Sequence, residues 1–288
     1  MAKKVAVVTG SNKGIGFAIV KGLLQKFDGV VYLTSRDEGR GKAAVAELNK
    51  LGLYPAYHQL DVADRESIVR FRDHIKETQG GIDILINNAG VANSVKLYNT
   101  YEEGKEIIDI NYYSILTIQE LLYPLVRNNG RILNISSDCG HLSNLRNKHW
   151  IERLSKRDFT QEDVLEFVSW YLEGLKNGTF KNEELADEGT ISAYRIAKVA
   201  LSAQTILQQK QLASRNISVN SMHPGLVQTD MTKGVGFFSI DDAAKTPLYI
   251  VLEAPQDLKG AYIWYDGKVL DWYDYNADYY FKSKTLTP

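Results

Sequence analysis

Three tyrosines in this chain stand four residues ahead of a lysine: Tyr101 with Lys105, Tyr194 with Lys198, and Tyr280 with Lys284. A phenol beside an ammonium can serve as an acid, because nearby positive charge favours the phenolate and draws its pKa from about 10 toward neutrality. Four-residue spacing brings the two groups to one face only on a helix. With 17 Tyr among 288 residues the spacing arises readily by chance, so the surroundings must select. Tyr101 and Lys105 lie in acidic YEEGKEI beside Gly104 and read as surface residues. Tyr280 and Lys284 lie in the tail, where chain ends fray. Tyr194 and Lys198 lie in SAYRIAKVALSAQTILQQ, strongly helical in composition, downstream of a serine pair and upstream of PGLVQTD.

A second constellation is VTGSNKGIGFAI, which sets Thr9, Gly10, Asn12, Lys13, Gly14, Ile15 and Gly16 between an apolar run and a helical pattern. Glycine lets a backbone turn tightly and approach a pyrophosphate, while a helix start offers unpaired N–H donors and the positive end of a dipole. An acidic residue about 20 positions on commonly holds the ribose of NAD, and basic residues there receive the 2′-phosphate of NADP. Here Arg36 comes first in SRDEGR, with Arg40 one turn later and Lys13 in the glycine loop. Three cations point to NADP(H), and bidentate arginine suits a phosphate. The alternative gives the ribose to Asp37.

Positioning these residues requires a framework. Val- and Ile-rich runs at 4–9, 29–35, 55–61, 82–87, 130–136, 216–222 and 260–266 read as strands. Amphipathic stretches at 15–27, 38–51, 64–79, 100–125 and about 194–214 read as helices. Near-continuous apolar strands alternating with helices predict an α/β fold, a doubly wound, Rossmann-type parallel sheet of seven strands in a single domain spanning 1–288. One polar interval, 139–190, breaks the rhythm and is expected as an insertion with a helix near 161–176, bounded by Thr160 with Asp163 and by Gly178.

The 34 basic and 35 acidic side chains give a formal charge of -1, which provides no field for nucleic acid or anionic membranes. No apolar run reaches the roughly 18 residues of a membrane span. The lone cysteine, Cys139, cannot pair internally, and a cytoplasmic setting follows as an expectation. It reads as a small wall residue rather than a reactive thiol. Five histidines without ligand spacing predict no metal.

Taken in order, TGSNKGIG, NNAG at 87–90, ISS at 135–137, YRIAK at 194–198 and HPGLVQTDM at 223–231 resemble the short-chain dehydrogenase/reductase family over residues 4–266. The insertion and SRDEGRG are similar to those of its monomeric, NADPH-dependent carbonyl reductases. The resemblance implies reduction of ketones, quinones and aldehydes, with Tyr194 as general acid and Lys198 on the nicotinamide ribose. It implies that Ser137 and Tyr194 bind the substrate carbonyl and that Asn111 helps Lys198 hold a relay water. It places Asp61 and Val62 at the adenine, Asn88 and Gly90 along the nucleotide groove, and Pro224, Gly225, Val227 and Thr229 beside the nicotinamide. It also implies a monomer, since the insertion would cover the surface that relatives use for subunit contact. Many members carry Trp where this chain has Leu226, a departure that bears on substrate preference and not on the chemistry.

Two further functions compete: an NAD-dependent alcohol or steroid dehydrogenase running oxidatively, and a nucleotide-sensing protein without turnover. The loops around 91–98, 139–150 and 226–240 are expected to shape the pocket. Residues 262–281 carry nine aromatic side chains, readable as a strap over the sheet edge or as a pocket wall.

Overall fold

The computed structural model describes residues 3–92, 99–186 and 191–277. β1 (Lys4–Val8), α1 (Gly14–Lys26), β2 (Gly29–Ser35), α2 (Glu38–Lys50), β3 (Ala56–Gln59), α3 (Arg65–Thr78) and β4 (Ile82–Asn87) follow the expected alternation. Successive strand side chains face opposite ways, so both faces must be apolar and covered. Ala6 and Val8 join the core beneath α1, whereas Val5 and Val7 join the core beneath α3.

The next helical stretch, expected at 100–125, is not uniform. α4 (Tyr101–Ile108) passes through a π-helical turn, Asp109–Tyr113, into α5 (Ser114–Leu121), and Pro124 lies in a short 3₁₀ turn leading to β5 (Val126–Ile135). α6 (Lys148–Leu154) and α7 (Gln161–Asn177) lie in the insertion. α7 begins on a reciprocal cap between Thr160 and Asp163 and ends at Gly178, which adopts φ 65°. α8 (Ser192–Leu212) precedes β6 (Ser218–Met222), and α9 (Ile240–Leu252) precedes β7 (Tyr262–Ile263). Sequence reading passed over α9, which carries Pro247 inside it.

The sheet has eight strands rather than seven, in the order β3-β2-β1-β4-β5-β6-β7-β8. β8 (Val269–Leu270) runs antiparallel to β7, so the expected final strand at 260–266 is a short hairpin. Its turn is the Asp266-Gly267 step, where Gly267 takes φ 84° and its N–H donates to the Trp264 carbonyl at 2.9 Å. Asp-Gly between apolar runs is a hairpin signal, and it was available in the sequence.

Because β1 lies between β2 and β4, the chain winds outward in both directions from this point. A crevice forms there at the carboxyl ends of the strands. The insertion is not a solvated decoration. Trp150, Val164, Phe167, Val168 and Tyr171 are buried in one cluster with residues of α4 and α8. Among the described residues no helix is long and apolar enough to cross a membrane.

Candidate active site

The glycine loop closes on the segment after β4. Backbone N–H groups of Asn88 and Ala89 both donate to Thr9 Oγ1 at 3.0 Å, and Asn88 Nδ2 donates to the carbonyls of Thr9 and Gly10 at 2.9 and 3.1 Å. Asn88 therefore ties the two strand ends together with the side chain expected to line the groove. Gly10 sits at φ 61°, and a Cβ there would lie 2.8 Å from Ala89 Cα, so only glycine fits. α1 starts uncapped: Lys13 is extended, makes no side-chain cap, and no acidic residue occupies the first turn. α2, α3, α4, α6, α7 and α9 all start on a side-chain cap. The α1 donors are thus left for a ligand, and a dinucleotide pyrophosphate fits them.

Two of the three cations expected at the phosphate have acidic partners. Lys13 pairs with Asp230 at 2.7 Å, and Arg40 pairs with Asp37 at 3.5 Å, Asp37 itself capping α2. Arg36 is exposed, and no hydrogen bond or ion pair engages its guanidinium among the described residues. Exposed pairs are worth little, so Lys13 and Arg40 remain recruitable, and of the three only Arg36 has no acidic partner among the described residues. Val62 is buried and Asp61 half-buried, with Asp61 Oδ1 accepting from Ala63 N at 3.0 Å in a turn after β3.

A continuous path leads from this crevice to Tyr194. Gly90 faces both Asn111 and Lys198: a Cβ there would lie 2.7 Å from Asn111 Oδ1 and 3.6 Å from Lys198 Nζ. Asn111 lies in the π-helical turn, a device frequent at functional sites. Its amide donates to the carbonyls of Val91 and Ile107 at 2.8 and 2.9 Å and accepts from Val91 N at 3.3 Å, fixing the chain after Gly90. Tyr194 and Lys198 share one face of α8, with Lys198 Nζ 5.4 Å from the Tyr194 ring centre. Ser137, two residues past the end of β5, lies near enough to the Tyr194 hydroxyl to act on its pKa. Pro224, Gly225, Val227 and Thr229 follow β6, and Gly14 faces the Thr229 methyl, since a Cβ there would lie 3.6 Å from it. The Tyr280 and Lys284 pair and most of the 91–98 loop lie outside the described residues. Tyr101 and Lys105 stay apart from the site, Lys105 pairing with Asp109.

The electrostatics differ from the expectation that Lys198 acidifies Tyr194. Burial pushes the Tyr194 hydroxyl well above its ordinary value of 10.0, the nearby Asp138 carboxylate adds to that, and the Ser137 hydroxyl opposes it. Lys198 Nζ instead donates to the Ile135 carbonyl at 2.8 Å, and burial brings its own pKa down to about 8. Burial also pushes the Cys139 thiol up to about 12, as suits an inert wall residue. A lysine with that pKa is charged below pH 8 and loses its charge above it. The dissociation constant for NADPH, measured by fluorescence titration, should therefore rise severalfold as pH passes through about 8. The unfolded chain holds this proton up to 10.5, so the group costs stability below pH 8, and the cost fades as pH rises toward 10.5.

Two neighbours went unremarked in the sequence. Asp138 Oδ1 accepts from the Ser137 hydroxyl at 2.7 Å, and the Asp138 N–H donates to His223 Nδ1 at 2.8 Å. The aromatic tail divides as well. Tyr262 donates to the Ser137 carbonyl and Trp272 Nε1 to the Gly140 carbonyl at 2.7 Å, so both brace the loop after β5. Tyr265 lies 4.9 Å from Phe238 across the turn after Gly225. The clefts of about 540 and 500 Å³ near Tyr123 and Trp170 lie away from this edge.

The chain belongs to the short chain dehydrogenase family, whose model matches residues 4–149. It is 36% identical over 259 residues to carbonyl reductase (NADPH) 3 of Mus musculus, covering 88% of this chain and 92% of that protein. It is 34% identical over 263 residues to carbonyl reductase (NADPH) 1 of Bos taurus, covering 89% and 93%. The solved structure of salutaridine reductase from Papaver somniferum superposes with a TM-score of 0.83 at 31% identity, covering 92% of this chain and all of that one. The family resemblance read from the motifs is borne out.

Proposed function

We propose that this chain reduces ketones, quinones and aldehydes to alcohols with NADPH, using Tyr194 as the general acid. The observation that carries the reading is the meeting of Tyr194, Ser137 and Lys198 at the carboxyl edge of the sheet, reached from the glycine loop through Gly90 and Asn111. The carbonyl reductase relatives support both the cofactor and the substrate class.

NADPH, when bound along the crevice, supplies the hydride to the carbonyl carbon. Ser137 holds the carbonyl oxygen, and Tyr194 passes its proton to that oxygen as negative charge develops there. Lys198 grips the ribose and supplies positive charge beside the phenol. A Tyr194 hydroxyl pushed upward keeps its proton at neutral pH but is the weaker acid for it, so the positive charge of Lys198 beside the phenol is what would ease the proton's release. Oxidation of an alcohol needs the phenolate instead, so this direction of shift favours the reductase over the oxidative alternative. The sensing alternative requires none of the three side chains to meet.

Consumption of NADPH by purified protein with quinones, aldehydes, α-dicarbonyls and steroid ketones tests the proposal, and inertness toward all of them sinks it. The insertion buries α7 against α4 and α8. Light scattering should therefore give the mass of one 32.4 kDa chain, and a stable dimer would overturn that expectation.

A further inference from the structure

Asp138 is the ionisable group at the catalytic edge that the proposed reduction leaves unused. Its side chain is 42% exposed beside two hydroxyls that must face the substrate. Oδ1 accepts from Ser137 Oγ at 2.7 Å and from Cys139 N at 2.9 Å, and no hydrogen bond or ion pair engages Oδ2 among the described residues. Burial by itself would raise this carboxyl. The Ser137 hydroxyl, the Arg195 charge and the Cys139 N–H hold it below the ordinary carboxylate value, so it is ionised at neutral pH.

The surroundings offset that charge only from the protein side. His223 Nδ1 accepts the Asp138 N–H, and burial lowers the pKa of the ring, which keeps it neutral. Arg195 is buried in α8 at 7% exposure and donates to Asn144 Oδ1, so its charge acts from inside the protein. The His223 ring in turn packs at a tilt against Trp264 at 4.4 Å and meets the edge of Tyr265 at 6.1 Å. Leu226 and Phe237 on the neighbouring loop are exposed at 43% and 55%. A carboxylate with one oxygen exposed beside the reacting group discriminates between ligands by their charge.

We propose that Asp138 is a specificity-determining residue, which favours carbonyl substrates bearing an ammonium group and disfavours those bearing a carboxylate. The inference rests on the carbonyl reductase reading and names a substrate class within it. Two effects act in the same direction. An ammonium pairs with Oδ2 directly. It also weakens the carboxylate as acceptor for the single Ser137 proton, leaving that hydroxyl freer to donate to the carbonyl oxygen. Cationic substrates therefore gain in turnover as well as in binding.

Three para-substituted benzaldehydes test this: trimethylammonio, nitro and carboxylate. kcat/KM is measured for each with NADPH in the unmodified protein and in Asp138→Asn. Ring electronics are common to both proteins, so the change in the cation-to-anion ratio isolates the charge. Even after solvent screening the ratio should fall by about tenfold or more in the variant. Reduction of the nitro compound with a ratio that shifts by less than about twofold overturns the inference alone, since a unit charge in contact should exceed that. Absence of NADPH consumption with every aldehyde overturns the reductase reading and this inference with it. If the variant does not fold, salt raised from about 0.02 to 0.5 M supplies the measurement in the unmodified protein, because it screens exposed charge. The kcat/KM values of the cationic and anionic aldehydes should then converge, and parallel responses overturn the inference.

Discussion

Replacing Tyr194 by Phe should leave NADPH binding within about twofold and lower turnover of a ketone by 10²- to 10⁴-fold, the usual worth of a positioned general acid. The substitution removes one oxygen from a ring that is only partly exposed, so the fold loses at most a hydrogen bond of about 1 kcal/mol. Cofactor affinity survives because Lys198 is held by the Ile135 carbonyl and not by the phenol. Binding is read from quenching of protein fluorescence and turnover from NADPH consumption. Retention of more than a tenth of the turnover would mean that Tyr194 is not the acid. Unaltered binding with lost turnover is the pattern of a group that acts only in the transition state.

Reversing the charge at Arg36 to Glu should raise the KM for NADPH by about 30- to 100-fold and that for NADH by less than threefold, because only the former carries the extra phosphate. The magnitude follows from losing one charge-assisted contact, about 1.5–3 kcal/mol, and placing a like charge there instead. Arg36 is the right position because Lys13 and Arg40 already have acidic partners. Equal changes for the two nucleotides would reject the assignment of Arg36 to the phosphate. The same reversal at Arg40 should have a smaller effect, since its charge is shared with Asp37.

Features encoded by neighbouring residues were legible in the sequence. The glycine loop, the Thr160 and Asp163 cap, the Gly178 stop and the early strands are each signalled by residue types within a few positions of one another. The end of the sheet was read less well. β7 and β8 have two residues each, too short for alternation to register, and only the Asp266-Gly267 turn betrays them. The split of 100–125 was hidden because a π-helical turn keeps the composition of an α-helix while shifting its register. α9 has no counterpart among the helices expected from the sequence, and it carries a proline at 247 within it.

The sequence by itself determined the doubly wound sheet, the glycine crevice and the identity of the residues at its mouth, because each follows from side-chain type at short spacing. It also placed Tyr194 and Lys198 on one helical face, which four-residue separation requires. Which way the phenol's pKa moves was decided only in three dimensions, since burial by segments far along the chain outweighs the charge one turn away. The pairing of Lys13 with Asp230 and the approach of Gly90 to Asn111 and Lys198 likewise join positions distant in sequence. Solvation and proximity between such segments are properties of the packed molecule, and no local pattern carries them.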